Sequence, residues 1–181
     1  MRILAISGSL RRASMNTCLL RAAAALAPPG LDIVLHRLDL LPPFNPDDDD
    51  IEAPVAPVSA LRDAVTQSDG VLIASPEYAH GVPGVLKNAL DWLVASGELV
   101  EKPVALLNAS PRSQHAPAAL CEILTVMAAH LVPEASITLP LQGRAPEVAA
   151  LLADDDIAGS LARAVAEFVR AIEGRTDALG G

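Results

Sequence analysis

Apolar residues along the chain form short runs that alternate with longer segments of helical spacing. The runs at 2–7, 70–75 and 103–110 are mostly apolar, which is typical of strands buried on both faces of a parallel sheet. A further run at 31–38 predicts another strand, and 135–139 predicts a weaker one. The pattern therefore indicates five strands.

The segments between these runs have apolar residues three and four positions apart, as on one face of an α-helix. Leu86, Leu90 and Leu93 share such a face, and Pro83 suits the first helical position. Helices are predicted at 16–27, 55–68, 83–95, 116–130 and 157–173. Regular strand–helix alternation predicts an α/β fold of three layers, with a doubly wound five-stranded parallel sheet and right-handed crossovers.

Composition agrees with one globular domain over residues 1–181. Hydrophobic residues make up 51% of the chain and charged residues 19%, and neither a linker nor an internal repeat divides the sequence. Prolines and charges interrupt every apolar stretch before the ~20 residues that a membrane-spanning helix needs. The opening MRILAIS is too short for a signal peptide, so the expected location is the cytoplasm, without membrane association.

Charge and cysteine usage exclude other classes of function. The formal net charge of −9 disfavours nucleic-acid binding, and the acidic stretches 47–50 and 154–156 are predicted to be solvated loop charge. Cys18 and Cys121 have no second cysteine or histidine at metal-ligand spacing. No metal site is predicted from this pattern.

Three loops that follow predicted strands contain the residues best suited to chemistry. Ligands of open parallel sheets bind beyond the carboxyl ends of the strands, where the strand order reverses. This rule predicts a site built from loops 8–16, 76–82 and 109–115. The first of them, within AISGSLRRASMN (residues 5–16), concentrates serines and arginines in an otherwise acidic chain.

Hydroxyl groups, guanidinium groups and a helix N-terminus together favour an anion such as phosphate. The loop lacks the lysine of the nucleoside-triphosphatase motif and the later glycines of the dinucleotide fingerprint. A terminal phosphate monoester, such as that of FMN, fits what remains. The alternative is that Ser14 or Asn16 simply caps a helix, and this loop alone leaves both interpretations open.

Two motifs taken together resemble the NADPH-dependent FMN reductase family, which includes flavin-dependent quinone, azo-dye and chromate reductases. They are ISGSLRRASMN at 6–16 and SPEYAHGVPGVLKNALDW at 75–92, and the similarity continues in register from residue 3 to about 113. The resemblance implies a flavodoxin-like fold with strand order 2-1-3-4-5 that binds FMN.

The resemblance also implies cofactor-binding residues. The first loop would bind the phosphate, the second would run along the isoalloxazine through its main chain, and the third would lie beside the ring. The corresponding positions are Ser9, Arg11, Ser14, Asn16, Thr17, Pro76, Glu77, Tyr78 and Ser110.

The second and third loops depart from the family pattern. Ala79 replaces an asparagine and Gly81 replaces a small polar residue, with His80 between them. The third loop has Arg112 and His115 where the family is glycine-rich, and these two residues could contact a dinucleotide phosphate. No side chain is predicted to act as an essential acid or base, because neither His80 nor His115 has a carboxylate at a spacing typical of a catalytic pair.

By resemblance, the chain is expected to be an FMN-dependent NAD(P)H oxidoreductase. NADPH or NADH would give hydride to bound FMN, and a small acceptor such as a quinone or free flavin would then be reduced by a ping-pong mechanism. No side chain is expected to be catalytic, since the cofactor carries the reaction. A homodimer or homotetramer is expected, and Trp92, off the apolar face of its helix, is predicted to lie at a subunit contact.

Two other functions are weighed against this one. A flavodoxin-type electron carrier would bind FMN without oxidising NAD(P)H, although its phosphate loop usually lacks arginine and aromatic residues flank its flavin. A phosphate-ester hydrolase would need a nucleophile, and Cys18 has no arginine six residues later to hold the attacked phosphate.

Overall fold

Six parallel strands form one sheet. The computed structural model describes residues 1–179, and of residues 176–179 it describes the backbone only. The strands are β1 (Arg2–Ser7), β2 (Asp32–His36), β3 (Gly70–Ala74), β4 (Pro103–Asn108), β5 (His130–Leu131) and β6 (Ile137–Thr138). The order is β2-β1-β3-β4-β5, with β6 also paired to β4, so the predicted order 2-1-3-4-5 is confirmed.

Helices cover both faces of the sheet. They are α1 (Met15–Ala25), α2 (Ala56–Thr66), α3 (Gly84–Asp91), α4 (His115–Val126), α5 (Val148–Leu152) and α6 (Asp155–Leu179). Side chains of β3 alternate between two apolar cores, Leu72 facing the side of α1 and α6 and Ile73 the side of α3 and α4. This confirms the three-layer prediction. No helix in the described part of the chain is both long and apolar enough to cross a membrane.

The fifth position of the sheet differs from the single strand predicted at 135–139. Two short strands occupy it, and β5 includes His130, which was predicted to end a helix. A 3-10 turn, Pro133–Ala135, separates them, starting at a proline that has no N–H to donate. Ser136 bridges the gap, because its Oγ accepts from Leu106 N at 3.0 Å and donates to the Val132 carbonyl at 3.0 Å.

The prediction that Trp92 lies at a subunit contact is wrong. Its side chain is 1% exposed and packs edge-on against Phe44, with ring centroids 5.0 Å apart. The indole N–H donates to the Pro42 carbonyl at 2.9 Å. The segment between β2 and α2 therefore covers this tryptophan, which the spacing along α3 alone could not reveal.

Asp49 also differs from the prediction of solvated charge over 47–50. Its carboxylate lies 2.5 Å from Nη2 of Arg62, and both side chains are 7% exposed. Arg62 additionally donates to the Trp92 carbonyl and lies 3.8 Å from Glu98. The ion pair therefore connects the acidic loop to α2 and to the end of α3.

Candidate functional site

A cavity of about 360 Å³ lies at the carboxyl ends of β1, β3 and β4. This is the edge of the sheet at which the ligand rule placed the site. Four loops surround the cavity, the three predicted from the sequence and a fourth that follows β6. Its lining residues are Arg11, Ala13, Met15, Asn16, Ser75, Pro76, Glu77, Asn108, Ala109, Ser110, Ser113, Leu141, Gln142, Gly143, Arg144 and Pro146.

Close packing of the first two loops depends on Gly8. Its N–H donates to the Ala74 carbonyl at 2.8 Å, which extends the pairing of β1 and β3 by one residue. A Cβ atom at this position would lie 2.7 Å from the Ser75 Oγ. Any larger residue would push the loops apart, so glycine is needed here for space.

The N-terminus of α1 borders the cavity and is only partly capped. Ser14 is the N-cap, and its Oγ accepts from Thr17 N at 3.3 Å. The N–H groups of Met15 and Asn16 have no acceptor within the helix, because they belong to its first turn. The Oδ1 of Asn16 is buried and has no hydrogen-bond partner in the described part of the chain.

Five of the nine residues predicted to bind the cofactor line this cavity. They are Arg11, Asn16, Pro76, Glu77 and Ser110. Arg11 lies on its border with a second groove, of about 640 Å³, that Ser9 and Thr17 line.

The other two predicted residues line neither space. Ser14 is buried beneath the loop as the helix cap, and Tyr78 is 58% exposed. The structure thus collects the first-loop residues around one helix start and leaves the Tyr78 side chain outside the cavity. Two hydroxyl groups of this region bond to each other, since Thr17 Oγ1 donates to Ser7 Oγ at 2.8 Å.

Glu77 connects the second loop to the third. Its Oε2 accepts from His115 N at 2.8 Å and from Ala116 N at 2.9 Å, at the first turn of α4. These two backbone hydrogen bonds, the one from Ala116 foremost, hold the pKa of Glu77 below its usual value. Its carboxylate is therefore ionised at neutral pH and caps a helix N-terminus, where negative charge is favourable.

The second loop ends in a two-residue turn. Tyr78 and Gly81 exchange backbone hydrogen bonds of 3.2 and 3.0 Å, as in a tight hairpin. Ala79 and His80, between them, have φ angles of +49° and +58°. Such a turn favours asparagine followed by glycine, whereas this chain adopts it with Ala79, a residue type that rarely takes positive φ, and with His80, a type that takes it more often.

Asn108 organises the third loop from the end of β4. Its Oδ1 accepts from Ser110 N at 3.1 Å, and its Nδ2 donates to the Ser113 carbonyl at 3.0 Å. Ser110 Oγ in turn accepts from the side-chain amide of Gln142. The third loop is thereby joined to the fourth, which completes the wall of the cavity.

Sequence reasoning missed the fourth loop and Asn108. Arg144 of this loop forms an ion pair of 2.9 Å with Asp154, just before α6. The pKa of Asp154 is lowered by a backbone hydrogen bond from Ile157 and by Arg144. The fourth loop, residues 140–147, has no recognisable periodicity in its sequence. Its position after the last strand was the signal that could have placed it at the site.

Known proteins resemble this chain in sequence. The model of the family described as NADPH-dependent FMN reductase matches residues 1–143. An NAD(P)H-dependent FMN reductase of Pseudomonas aeruginosa is 40% identical over 111 residues, which is 60% of this chain and 60% of that enzyme's length. The NADH:(hydroxy)cinnamate reductase subunit CrdA of Vibrio ruber is 35% identical over 175 residues, covering 93% of this chain and 86% of the subunit.

A solved structure extends the likeness to the whole fold. It is that of FerB, a flavoenzyme NAD(P)H:(acceptor) oxidoreductase from Paracoccus denitrificans. The two structures superpose with a TM-score of 0.80 at 31% sequence identity, over 96% of this chain and 97% of the other. With the flavodoxin-like strand order and the family match over residues 1–143, these likenesses establish that the chain belongs to the NADPH-dependent FMN reductase family.

Proposed function

We propose that this chain is an FMN-dependent NAD(P)H oxidoreductase that reduces a small acceptor, with residues 1–181 forming one FMN-binding domain. Membership of the FMN reductase family and the likeness to FerB over nearly the whole chain support the proposal. The cofactor would be FMN and the electron donor NADPH or NADH.

The observation that carries the proposal is the unsatisfied start of α1 inside the cavity. Asn16 presents a buried Oδ1 that has no partner among the residues the structure describes, and the first-turn N–H groups of Met15 and Asn16 lack helical acceptors. Arg11, at the border of the same cavity, can supply a permanent positive charge. These groups suit a phosphate ester that also carries hydroxyl donors, as the ribityl phosphate of FMN does.

The residues of the chain would bind and orient the cofactor. Arg11 and the N-terminus of α1 would hold the phosphate, with Ser9, Ser14 and Thr17 supporting the loop or donating hydroxyl groups. Pro76, Glu77, Tyr78 and Ser110 would border the ring, mostly through their main chain. Bound FMN supplies the chemistry of accepting and donating hydride.

No side chain is assigned a proton-transfer role. The Glu77 carboxylate is ionised and engaged with two backbone N–H groups, so its task is to fix the second loop against α4. Positioning of the two reactants in the cavity would supply most of the rate. Donor and acceptor would use the same open side in turn, which favours ping-pong kinetics.

Small molecules are the proposed acceptors, in keeping with the acceptors that the names of the relatives describe. No nucleic acid or membrane is a proposed partner. We also propose a homodimer or homotetramer in the cytoplasm, the assembly to be measured by light scattering.

The test is the visible spectrum of the purified protein before and after NADPH or NADH in a stopped-flow instrument without oxygen. Flavin absorbance that bleaches directly on mixing, and returns when a quinone is added, supports the oxidoreductase. Bound flavin that neither nucleotide reduces would identify an electron carrier instead. A colourless protein that takes up no added FMN at micromolar concentration would refute the proposal.

A further inference from the structure

Three potential metal ligands meet at the rim of the cavity, although they come from separate parts of the sequence. Glu77 follows β3, His80 lies at the tip of the 78–81 hairpin, and His115 is the first residue of α4. One ligand atom of each lies within 4.8 Å of the other two. Spacing along the sequence does not reveal this group, because His115 lies 38 positions after Glu77.

We propose that Glu77, His80 and His115 form a binding site for one divalent transition-metal cation of the zinc type. Two imidazole nitrogens and one carboxylate oxygen are a ligand set that zinc uses in proteins, with a remaining position for water. The site is additional to the proposed flavin chemistry and does not depend on it.

The carboxylate is fixed in place and has an oxygen to spare. Its Oε2 accepts two backbone hydrogen bonds, from His115 N and Ala116 N, while no hydrogen bond among the described residues uses Oε1. The carboxylate places a negative charge beside the first turn of α4. That charge offsets the positive end of the α4 dipole, which would otherwise repel a cation.

The two imidazole rings are close enough to share an ion. They stack with centroids 4.2 Å apart and ring planes 12° from parallel. Ligand nitrogens around tetrahedral zinc lie about 2.0–2.1 Å from the metal, hence about 3.3 Å from each other. A metal ion lies in the plane of each imidazole that binds it, so the two rings must turn out of this stack to share one ion. Both rings are exposed and are free to turn about their side-chain bonds.

Backbone strain indicates that His80 is held in position. Its φ of +58° follows a φ of +49° at Ala79, and such conformations persist where the surroundings impose them. Here two backbone hydrogen bonds between Tyr78 and Gly81 close the turn. A bound cation would add a second connection between this hairpin and α4, beside the one that Glu77 already makes.

The test is zinc binding by isothermal titration calorimetry, with tag-free full-length protein at neutral to slightly alkaline pH. Cys121 is exposed and could bind zinc itself, so all variants carry Cys121→Ser. We expect one zinc ion per chain with micromolar affinity. His80→Ala and His115→Ala should each weaken binding by at least about tenfold, while His130→Ala, on the remote β5, should leave it unchanged.

Cobalt provides a second readout that is independent of activity. Titration of the FMN-free protein with Co²⁺ should produce the visible absorption of a tetrahedral centre, and the double variant His80→Ala/His115→Ala should lose it. Either of two results would overturn the site: no binding by a protein whose circular dichroism shows it folded, or full binding by the double variant. Failure to bind FMN would leave both measurements interpretable.

Discussion

Asn16 shows at the scale of one residue how a binding site differs from a packed interior. A buried polar atom without a partner costs about 1–3 kcal/mol, and native cores seldom contain one. The Oδ1 of Asn16 has no hydrogen-bond partner among the described residues, yet it lies at the start of α1 in the wall of the cavity of about 360 Å³. The position is thus suboptimal for stability and useful for a ligand.

We expect Asn16→Ala to separate the effect of this residue on stability from its effect on FMN binding. The FMN-free protein should be no less stable than the wild type, because the substitution breaks no hydrogen bond to Oδ1 and removes a buried polar atom that lacks a partner among the described residues. FMN binding should weaken about tenfold, as expected when one hydrogen bond to the ligand is removed. Flavin fluorescence quenching measures the affinity and urea unfolding measures the stability.

Leu10→Ala serves as the control for Asn16→Ala, since Leu10 belongs to the same loop and is 58% exposed. It should change neither quantity. An unchanged FMN affinity in Asn16→Ala would remove this residue from the proposed site.

The buried charges around Arg62 give a second prediction at the residue scale. We expect Asp49→Asn to lower the free energy of unfolding by about 3 kcal/mol, because it leaves a buried guanidinium without its nearest carboxylate. Glu98, 3.8 Å away, remains and limits the loss. Urea unfolding tests this, and Asp47→Asn at an exposed neighbouring position should stay within about 0.5 kcal/mol of the wild type.

At the scale of an element, the hairpin of residues 78–81 requires positive φ angles at Ala79 and His80. Positive φ costs a residue with a Cβ about 1–2 kcal/mol, and asparagine tolerates it better than alanine. Ala79→Asn should therefore raise the free energy of unfolding by about 0.5–1 kcal/mol. Ala79→Val should lower it, because a β-branched side chain fits this conformation worst. Equal unfolding midpoints for the two variants would show that the turn is not strained.

Elements could be predicted from sequence where one physical signal dominates. The runs that became β3 and β4 are apolar, apart from Asn108 at the end of β4, because both faces of these strands are buried. The order of the strands, by contrast, came from resemblance to a family. Trp92, Asp49 and the split at Pro133 were misjudged because each depends on a contact with a distant segment.

In the candidate site, too, residues with a local sequence signal could be predicted and residues that depend on distant contacts could not. The first loop was identified because serines and arginines cluster there in sequence. Glu77 was expected to contribute main-chain groups. Its side chain instead caps α4, and this could not be predicted because the N–H group of His115 that it accepts from lies 38 positions later in the sequence. Asn108 and the loop at 140–147 had no local signal, since their roles arise only when four strand ends come together.

At the scale of the whole molecule, Asp154 couples stability to pH. Its pKa is below the unfolded value because Ile157 N–H and Arg144 favour the charged form. The unfolded chain therefore binds more protons in the acid range, so this contribution is present above the unfolded pKa and is lost as the pH falls through the folded pKa.

We expect Asp154→Asn to be less stable than the wild type at neutral pH, with a difference that shrinks as the solution is acidified. Thermal unfolding midpoints across the acid range measure this. Asp155→Asn, one residue later and exposed, should run parallel to the wild type. A constant difference for Asp154→Asn at every pH would contradict the assignment.

The divided outer edge of the sheet has a consequence for the behaviour of the protein at high concentration. Unpaired edge strands are templates on which other chains can add and aggregate. On the side of β5 and β6 each strand is only two residues long, and the turn at Pro133 breaks the row of backbone groups between them. An incoming strand would find no continuous ladder there, so this interruption protects the protein from fibril-like association along that border.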